Sequence, residues 1–182
     1  MNTEKRLEIE VKLRVTQLGP LRRKITHLPA TLAAARVFER NIVFDTDQGN
    51  LKAQGILLRL RQQGAQAVLT VKMPAREKSI YKIREETEVR VSDFASMEKI
   101  MQALGLRAFF VYEKYREVFA AFETLIMVDE TPIGNFIEIE GPTERIDAVA
   151  ARLGFSQADY IADSYYRLFL LAGGSGHMVF AP

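Results

Sequence analysis

Glu8-Ile9-Glu10-Val11-Lys12-Leu13-Arg14 alternates charge with hydrocarbon at every step. Side chains of an extended strand point to opposite faces with a period of two, so Glu8, Glu10, Lys12 and Arg14 share one face and Ile9, Val11 and Leu13 the other. The alternation returns along the chain: Arg59 and Arg61 with Leu58 and Leu60, Thr70 and Lys72 with Leu69 and Val71, Arg84 with Glu86 and Glu88, Lys114 with Arg116, Met127 with Asp129, and Glu138 with Glu140. A charged face on an antiparallel strand is ordinarily the solvated side of a half-buried sheet. Here like charges stand side by side, as in Glu8/Glu10, Arg59/Arg61 and Glu138/Glu140, and these repel unless opposite charge lies between them. Surfaces that serve only solubility intersperse the two signs. Such a set suits joint binding of a metal ion and a polyanion. Periodicity leaves open whether the face looks outward or lines a lumen.

Composition narrows the chemistry. The 182 residues fit one domain, large enough to bury a core without disulfides. Cysteine is absent, which removes thiolate zinc sites and a cysteine nucleophile and agrees with a reducing compartment. The two histidines, His27 and His177, are too few for an imidazole metal centre or a Ser-His-Asp triad. Any metal would be held by carboxylates, which favour hard ions such as Mg2+ or Mn2+. A net charge of +2 without a long basic run argues against nucleic acid as a partner. No apolar stretch approaches the roughly 20 residues of a membrane span. The polar start, Met1 to Arg6, carries no secretory pattern, so a cytoplasmic location is expected.

Period and punctuation predict a strand over residues 4–15, then a helix over 17–28 closed by Pro29. Residues 33–46 alternate less cleanly and end in the turn cluster Asp45-Thr46-Asp47-Gln48-Gly49-Asn50, before a short segment at 51–54. Strands at 55–63 and 66–74 flank Gly64 as a hairpin, and another runs over 79–92. Asp93 caps a helix over 94–104 that Gly105 stops. Strands follow at 107–120, 122–130 and 134–141, with helices over 143–153 and 163–172. Mostly antiparallel order without a βαβ rhythm predicts an α+β fold with a large sheet able to close on itself. Residues 1–172 read as a single domain and 173–182 as a flexible tail.

Glu8-x-Glu10-x-Lys12 resembles the signature that opens the CYTH domain, the triphosphate tunnel metalloenzyme family. The later elements follow in that family's order: Leu58-Arg59-Leu60-Arg61 after Gly55, Leu69-Thr70-Val71-Lys72, Arg84-x-Glu86-x-Glu88, Lys114-x-Arg116, Asp129, Glu138-Ile139-Glu140-Gly141 and Asp163-Ser164-Tyr165. The resemblance runs from Glu4 to about Leu171 and implies an eight-stranded antiparallel β-barrel with flanking helices, its charges turned into the lumen. It implies substrate-binding roles for Lys12, Arg59, Arg61, Lys72, Arg84, Lys114 and Arg116. Glu8, Glu10, Glu138 and Glu140 are the implied metal ligands, followed by Asp129, with Glu86 and Glu88 as candidates for a second ion or for orienting water. Glu8, Glu10, Lys12 and Lys72 are assigned to the chemistry itself. Arginine offers phosphate a planar fork and lysine a point charge. At about 4 Å and an effective dielectric near 20, each contact is worth roughly 4 kcal/mol before desolvation is subtracted.

The family comprises hydrolases of inorganic tripolyphosphate, thiamine triphosphate or nucleotides, and class IV adenylyl cyclases. The partner expected here is a small-molecule triphosphate, inorganic tripolyphosphate foremost because it needs only the charged lumen. Thiamine triphosphate is typically stacked on tryptophan, which this chain lacks, leaving Phe38 and Phe44 as substitutes. The alternatives are an adenylyl cyclase releasing pyrophosphate, and a non-catalytic polyphosphate-binding module. Asp45-Thr46-Asp47 with Gly49-x-Leu51-Lys52 resembles cyclase and hydrolase branches alike. His27 is read as a helix-surface or packing residue, Tyr165 and Tyr166 as plugs at one end, and Arg14 and Arg90 as rim or surface charges. Arg76, Glu77, Lys78 and Lys82 are read as a solvated hairpin tip. Monomer and homodimer are both open.

Overall fold

The structure, a computed structural model, describes residues 6–74 and 79–181, with the side chain of Arg6 left aside. Its strands are β1 (Arg6–Val15), β2 (Thr31–Asp45), β3 (Leu57–Gln63), β4 (Gln66–Pro74), β5 (Lys82–Val91), β6 (Arg107–Ala121), β7 (Thr124–Thr131) and β8 (Gly134–Glu140). They form a closed barrel in the order β1-β5-β4-β3-β2-β6-β7-β8. Every neighbouring pair is antiparallel, and β1 joins the ring by pairing with β5 at one end and β8 at the other. The expected eight-stranded barrel is therefore present.

The helices explain which face looks inward. Val11 and Leu13 of β1, Ile126 and Val128 of β7, and Ile137 and Ile139 of β8 turn outward, beneath Leu21 and Ile25 of α1 (Leu18–Thr26) and Ile146, Val149 and Leu153 of α4 (Thr143–Leu153). On the other flank Ile42, Phe44 and Leu60 meet Met101 of α3 (Phe94–Ala103). Each fully buried side chain of this kind contributes about 1.5–3 kcal/mol of hydrophobic stabilisation. With the hydrocarbon committed to the helices, the charged residues of alternate parity have only the lumen to occupy. Asp93 caps α3 by accepting from the Ser96 amide at 2.6 Å. The short α2 (Asn50–Ala53) follows the turn cluster, and α5 (Tyr165–Leu171) lies against Phe110, Tyr112 and Phe136.

Three details depart from the sequence reading. The irregular alternation before Asp45 belongs to one long strand, β2, with register shifts against β6 between Leu32 and Ala34, Ala34 and Val37, and Val43 and Phe44. The β6–β7 hairpin turns on Phe122 and Glu123, with φ of 51° and 62°. Two residues with positive φ make the tight turn that matches strand twist, and it forms without glycine because Phe122 packs against the α1–α4 core. The tail, expected to be flexible, lies against the barrel. Met178 is fully buried, and its backbone exchanges hydrogen bonds of 2.9 Å with Val111 and Glu113. There β6 has left the reach of β7, whose pairing with it begins at Tyr115 and Glu130, so the tail covers an otherwise open edge. Ile161 covers β1 in the same way, donating to the Lys12 carbonyl at 2.9 Å.

Candidate functional site

The lumen is a cavity of about 440 Å³ lined by Glu8, Glu10, Lys12, Arg59, Arg61, Lys72, Arg84, Glu86, Glu88, Lys114, Arg116, Glu138 and Glu140, so these sequence candidates converge. Asp129 lies behind that wall, fully buried. Its carboxylate accepts from Lys114 Nζ at 2.9 Å, from Arg116 Nε and Nη2 at 2.7 and 2.6 Å, and from the Tyr165 hydroxyl at 2.6 Å.

Acid and base alternate around the ring. Lys72 Nζ reaches Glu8 at 2.5 Å and Glu86 at 3.2 Å, Lys82 Nζ reaches Glu10 at 2.5 Å, and Lys12 Nζ reaches Glu138 at 2.9 Å. Arg116 spans Asp129 and Glu138. Arg59 and Arg61 lie 3.6 and 3.8 Å from Glu88, and Glu88 also accepts from Thr70 at 2.7 Å. Arg84 sits farther out, donating to the Gly55 carbonyl at 3.1 Å. The like-charged neighbours of the sequence are thus interleaved with opposite charge from facing strands, which is how buried ions are tolerated.

Protonation follows from this packing. Burial opposes ionisation of Glu138, but Lys12, Arg116, Lys114 and Lys82 overwhelm it and hold the carboxyl well below its usual range. Glu10 is lowered against burial by Lys82, Lys12 and Lys72, with Glu138 pulling the other way. Burial pushes Glu86 up to about 7, assisted by Glu88 and Glu8 and opposed by Lys72. For Arg61, burial and then Arg59 lower the pKa. Two guanidiniums crowded in this way gain most when an anion is placed between them.

Lys82 corrects the sequence reading: it is a strand residue whose ammonium faces the lumen, half-buried and paired to Glu10, rather than part of a solvated tip. Arg76, Glu77 and Lys78 lie outside the described residues. Tyr166 lines the cavity mouth as expected, whereas Tyr165 reaches deeper to hold Asp129 and stands beneath the Lys12 ammonium, 4.6 Å from its ring centre. Arg14 stays at the rim, donating to the Ile133 carbonyl at 3.3 Å, and Arg90 is exposed. His27 is exposed on α1. Phe38 faces outward against Tyr115, so it offers no stacking surface in the lumen, whereas Phe44 borders the cavity; Phe109, Phe110 and Tyr166 form an aromatic mouth. Asp45 caps α2 by accepting from the Thr46, Leu51 and Lys52 amides at 2.8, 2.8 and 3.0 Å. Glu39 and Asn41 are buried on β2 and were missed. Glu39 shares a face with Asn41, a signal obscured by the irregular start of that strand.

The sequence model of the CYTH domain matches residues 6–165. The chain belongs to the CYTH domain family. A protein of Methanocaldococcus jannaschii named "Putative adenylate cyclase" is 25% identical over 135 residues, 74% of this chain and 76% of that protein. The CYTH barrel also superposes on the structure of a "putative adenylate cyclase" from Vibrio parahaemolyticus with a TM-score of 0.82 and 22% identity, covering 92% of this chain and 99% of that one. A Hippeastrum protein described as a "Putative adenylyl cyclase" with "a dominant triphophatase activity" matches with a TM-score of 0.67 and 19% identity, over 92% of this chain and 97% of that one.

Carboxylate oxygens are the donors this CYTH lumen offers a metal. Glu10 and Glu140 are paired across β1 and β8, with Glu138 opposite Lys12 one step along. That chemistry fits a hard divalent ion. Among the described residues, no three acidic or histidine side chains converge on one point, because lysine and arginine hold Glu8, Glu10 and Glu138.

Proposed function

We propose that the chain is a divalent-metal-dependent triphosphatase that hydrolyses inorganic tripolyphosphate in the barrel lumen. One observation carries this reading: Lys12, Arg59, Arg61, Lys72, Lys82, Arg84, Lys114 and Arg116, from β1, β3, β4, β5 and β6, face one cavity. A short linear polyanion gives each cation a partner along its length, which a single phosphate does not. Arg59 and Arg61 bind phosphate oxygens through their forks, and Lys72 and Lys12 add point charge as negative charge builds on the transferred group. Lys114 and Arg116 are held in place by Asp129, so their geometry is set before substrate enters. Mg2+ or Mn2+ would be held by Glu8, Glu10, Glu138 and Glu140 and would supply charge to the phosphate oxygens. Glu86 and Glu88 stand beside Lys72 and the arginines, suited to a second ion or to orienting water. Lys12, Arg59, Lys72, Lys114 and Arg116 are buried in the eight-strand ring, where a charge contact is stronger than in water.

The aromatic mouth favours a second reading, adenylyl cyclase. Phe109 and Tyr166 lie edge to face, 4.9 Å between centres, with Lys52 Nζ 4.8 Å from both rings, a surface able to receive a base. The names of the Methanocaldococcus and Vibrio proteins point the same way. Product analysis decides between them: with Mg2+ or Mn2+, tripolyphosphate and ATP are offered separately and phosphate, pyrophosphate and cyclic AMP resolved. Orthophosphate from tripolyphosphate without cyclic AMP from ATP supports the triphosphatase; cyclic AMP with pyrophosphate replaces it, and saturable binding without turnover leaves a binding module. Within the triphosphatase, Glu10→Gln is expected to abolish metal-dependent turnover and Arg59→Ala chiefly to raise KM. Parental activity in Glu10→Gln would remove the metal assignment.

A further inference from the structure

Glu39 and Asn41 stand on the wall opposite β1 and β8. Alternation along β2 puts them on the face of Val43, which lines the cavity with Glu39, while Ile42 packs outward toward α3. Glu39 is 1% exposed and Asn41 0%. Their hydrogen bonding does not close. Oδ1 and Nδ2 of Asn41, Oε2 of Glu39, and Nε of Arg59 and of Arg61 have no hydrogen-bond partner among the described residues. Asn41 is cross-strand from Arg61, and Glu39 is cross-strand from Lys114, whose Nζ is 3.7 Å from Oε2. Arg59, Arg61 and Arg116 all feel the charge of Glu39. Buried polar atoms are nearly always satisfied, so a group of orphans on adjoining strands marks where a ligand belongs.

The atom types say which ligand. Three of the orphans donate and two accept. An ionised phosphate only accepts: it satisfies the two guanidinium nitrogens and the amide, and leaves Asn41 Oδ1 and Glu39 Oε2 facing its charge. A water beside that phosphate supplies the missing donors. We propose that Glu39 and Asn41 hold the water that attacks the terminal phosphorus of a triphosphate gripped by Arg59 and Arg61, and that Glu39 takes its proton. The inference rests on the triphosphatase reading. The water oxygen bonds to the terminal phosphorus as the bridging P–O bond breaks. That electron pair leaves on the bridging oxygen of pyrophosphate, and one water proton passes to the Glu39 carboxylate. Asn41 donates through Nδ2 to a phosphate oxygen and accepts from the water through Oδ1, fixing the approach.

The test is steady-state orthophosphate release from tripolyphosphate with Mg2+ by the parent, Glu39→Gln and Asn41→Ala, with calorimetric titration of tripolyphosphate and a melting curve for each. Glu39→Gln is expected to lose about 100-fold or more in kcat, to keep or lower KM because a negative charge has left the anion site, and to bind tripolyphosphate at least as tightly as the parent. Asn41→Ala is expected to lose less in kcat. A Glu39→Gln variant with near-parental kcat, or with a raised KM as its only defect, overturns the proposal. Should Glu39→Gln fail to melt cooperatively, Asn41→Ala decides by the same split: a fall in kcat supports the proposal, and unchanged kcat overturns it. A parent that releases no orthophosphate overturns the triphosphatase reading itself, and the proposal with it.

Discussion

Asp129 shows what a single side chain does in a lumen of this kind. Its two oxygens accept four hydrogen bonds from Lys114, Arg116 and Tyr165, and it has no exposed surface. Removing one partner of a buried ion pair costs about 3–5 kcal/mol, because the charge left behind is uncompensated. Asp129→Asn is therefore expected to lose stability of that order, read from urea unfolding of the metal-free protein. Asp147 makes a separate prediction outside the lumen. It accepts from Tyr81 and Tyr160 hydroxyls at 2.9 and 2.7 Å and from Gln157 at 2.8 Å. Burial opposes ionisation there, and the three donors overcome it, lowering the carboxyl from 3.8. A depressed carboxyl adds stability that is complete above its unfolded pKa and is lost as pH falls through the folded one. The Tm difference between the parent and Asp147→Asn is thus expected to be constant from neutrality to about pH 5 and to shrink below pH 4. Residues that pair in motif, such as Glu8/Glu10 and Arg59/Arg61, were legible from spacing alone. Lys82 was not, since a lysine next to a cluster of charges reads as a loop until β5 is paired to β1. Tyr165 was not legible as a donor to Asp129, because that contact joins residues 36 apart in the chain.

Among the elements, the strands other than β2 announced themselves by period two, and α3 and α4 by their stripes and stops. The β6–β7 turn did not, because Phe122-Glu123 has none of the usual turn residues and its left-handed backbone is held by packing. The tail was hidden for a different reason: Gly173-Gly174-Ser175-Gly176 reads as flexible whatever lies beyond it. What matters is Met178, seated among Phe110, Tyr112, Phe136 and Tyr165. Met178→Ala is expected to cost about 2–5 kcal/mol, measured by denaturant unfolding. Ending the chain at Gly173 also removes the backbone cover from β6 at Val111 and Glu113. An uncovered strand edge is a template for pairing with another chain, so the truncated protein is expected to self-associate at concentrations where the full chain does not, as read by light scattering.

At the scale of the molecule, the barrel was legible because eight alternating segments without βαβ order have few ways to bury their hydrocarbon, and closure is one of them. Which strands adjoin was not legible, since β1 meets β5 and β8 rather than β2. The enclosed charges make stability and ligand concentration inseparable. If tripolyphosphate and Mg2+ occupy the lumen, free ligand at 100 times Kd is expected to add about 2.7 kcal/mol to the folded state; an unchanged melting curve under those conditions would count against a lumen site. No helix of the described residues is long and apolar enough to cross a membrane. The placement of β1 also bears on how the chain is made. Its two neighbours are β5 and β8, so the ring waits for a strand that starts at Gly134. At about 5–20 residues per second, a ribosome reaches that strand roughly 6–24 s after finishing β1. Throughout that interval β1 lacks the strand that closes the ring, and Glu8, Glu10 and Lys12 keep its sequence from the uncharged, apolar pattern that seeds aggregation. The residues destined for the lumen thus act first as guardians of the nascent chain.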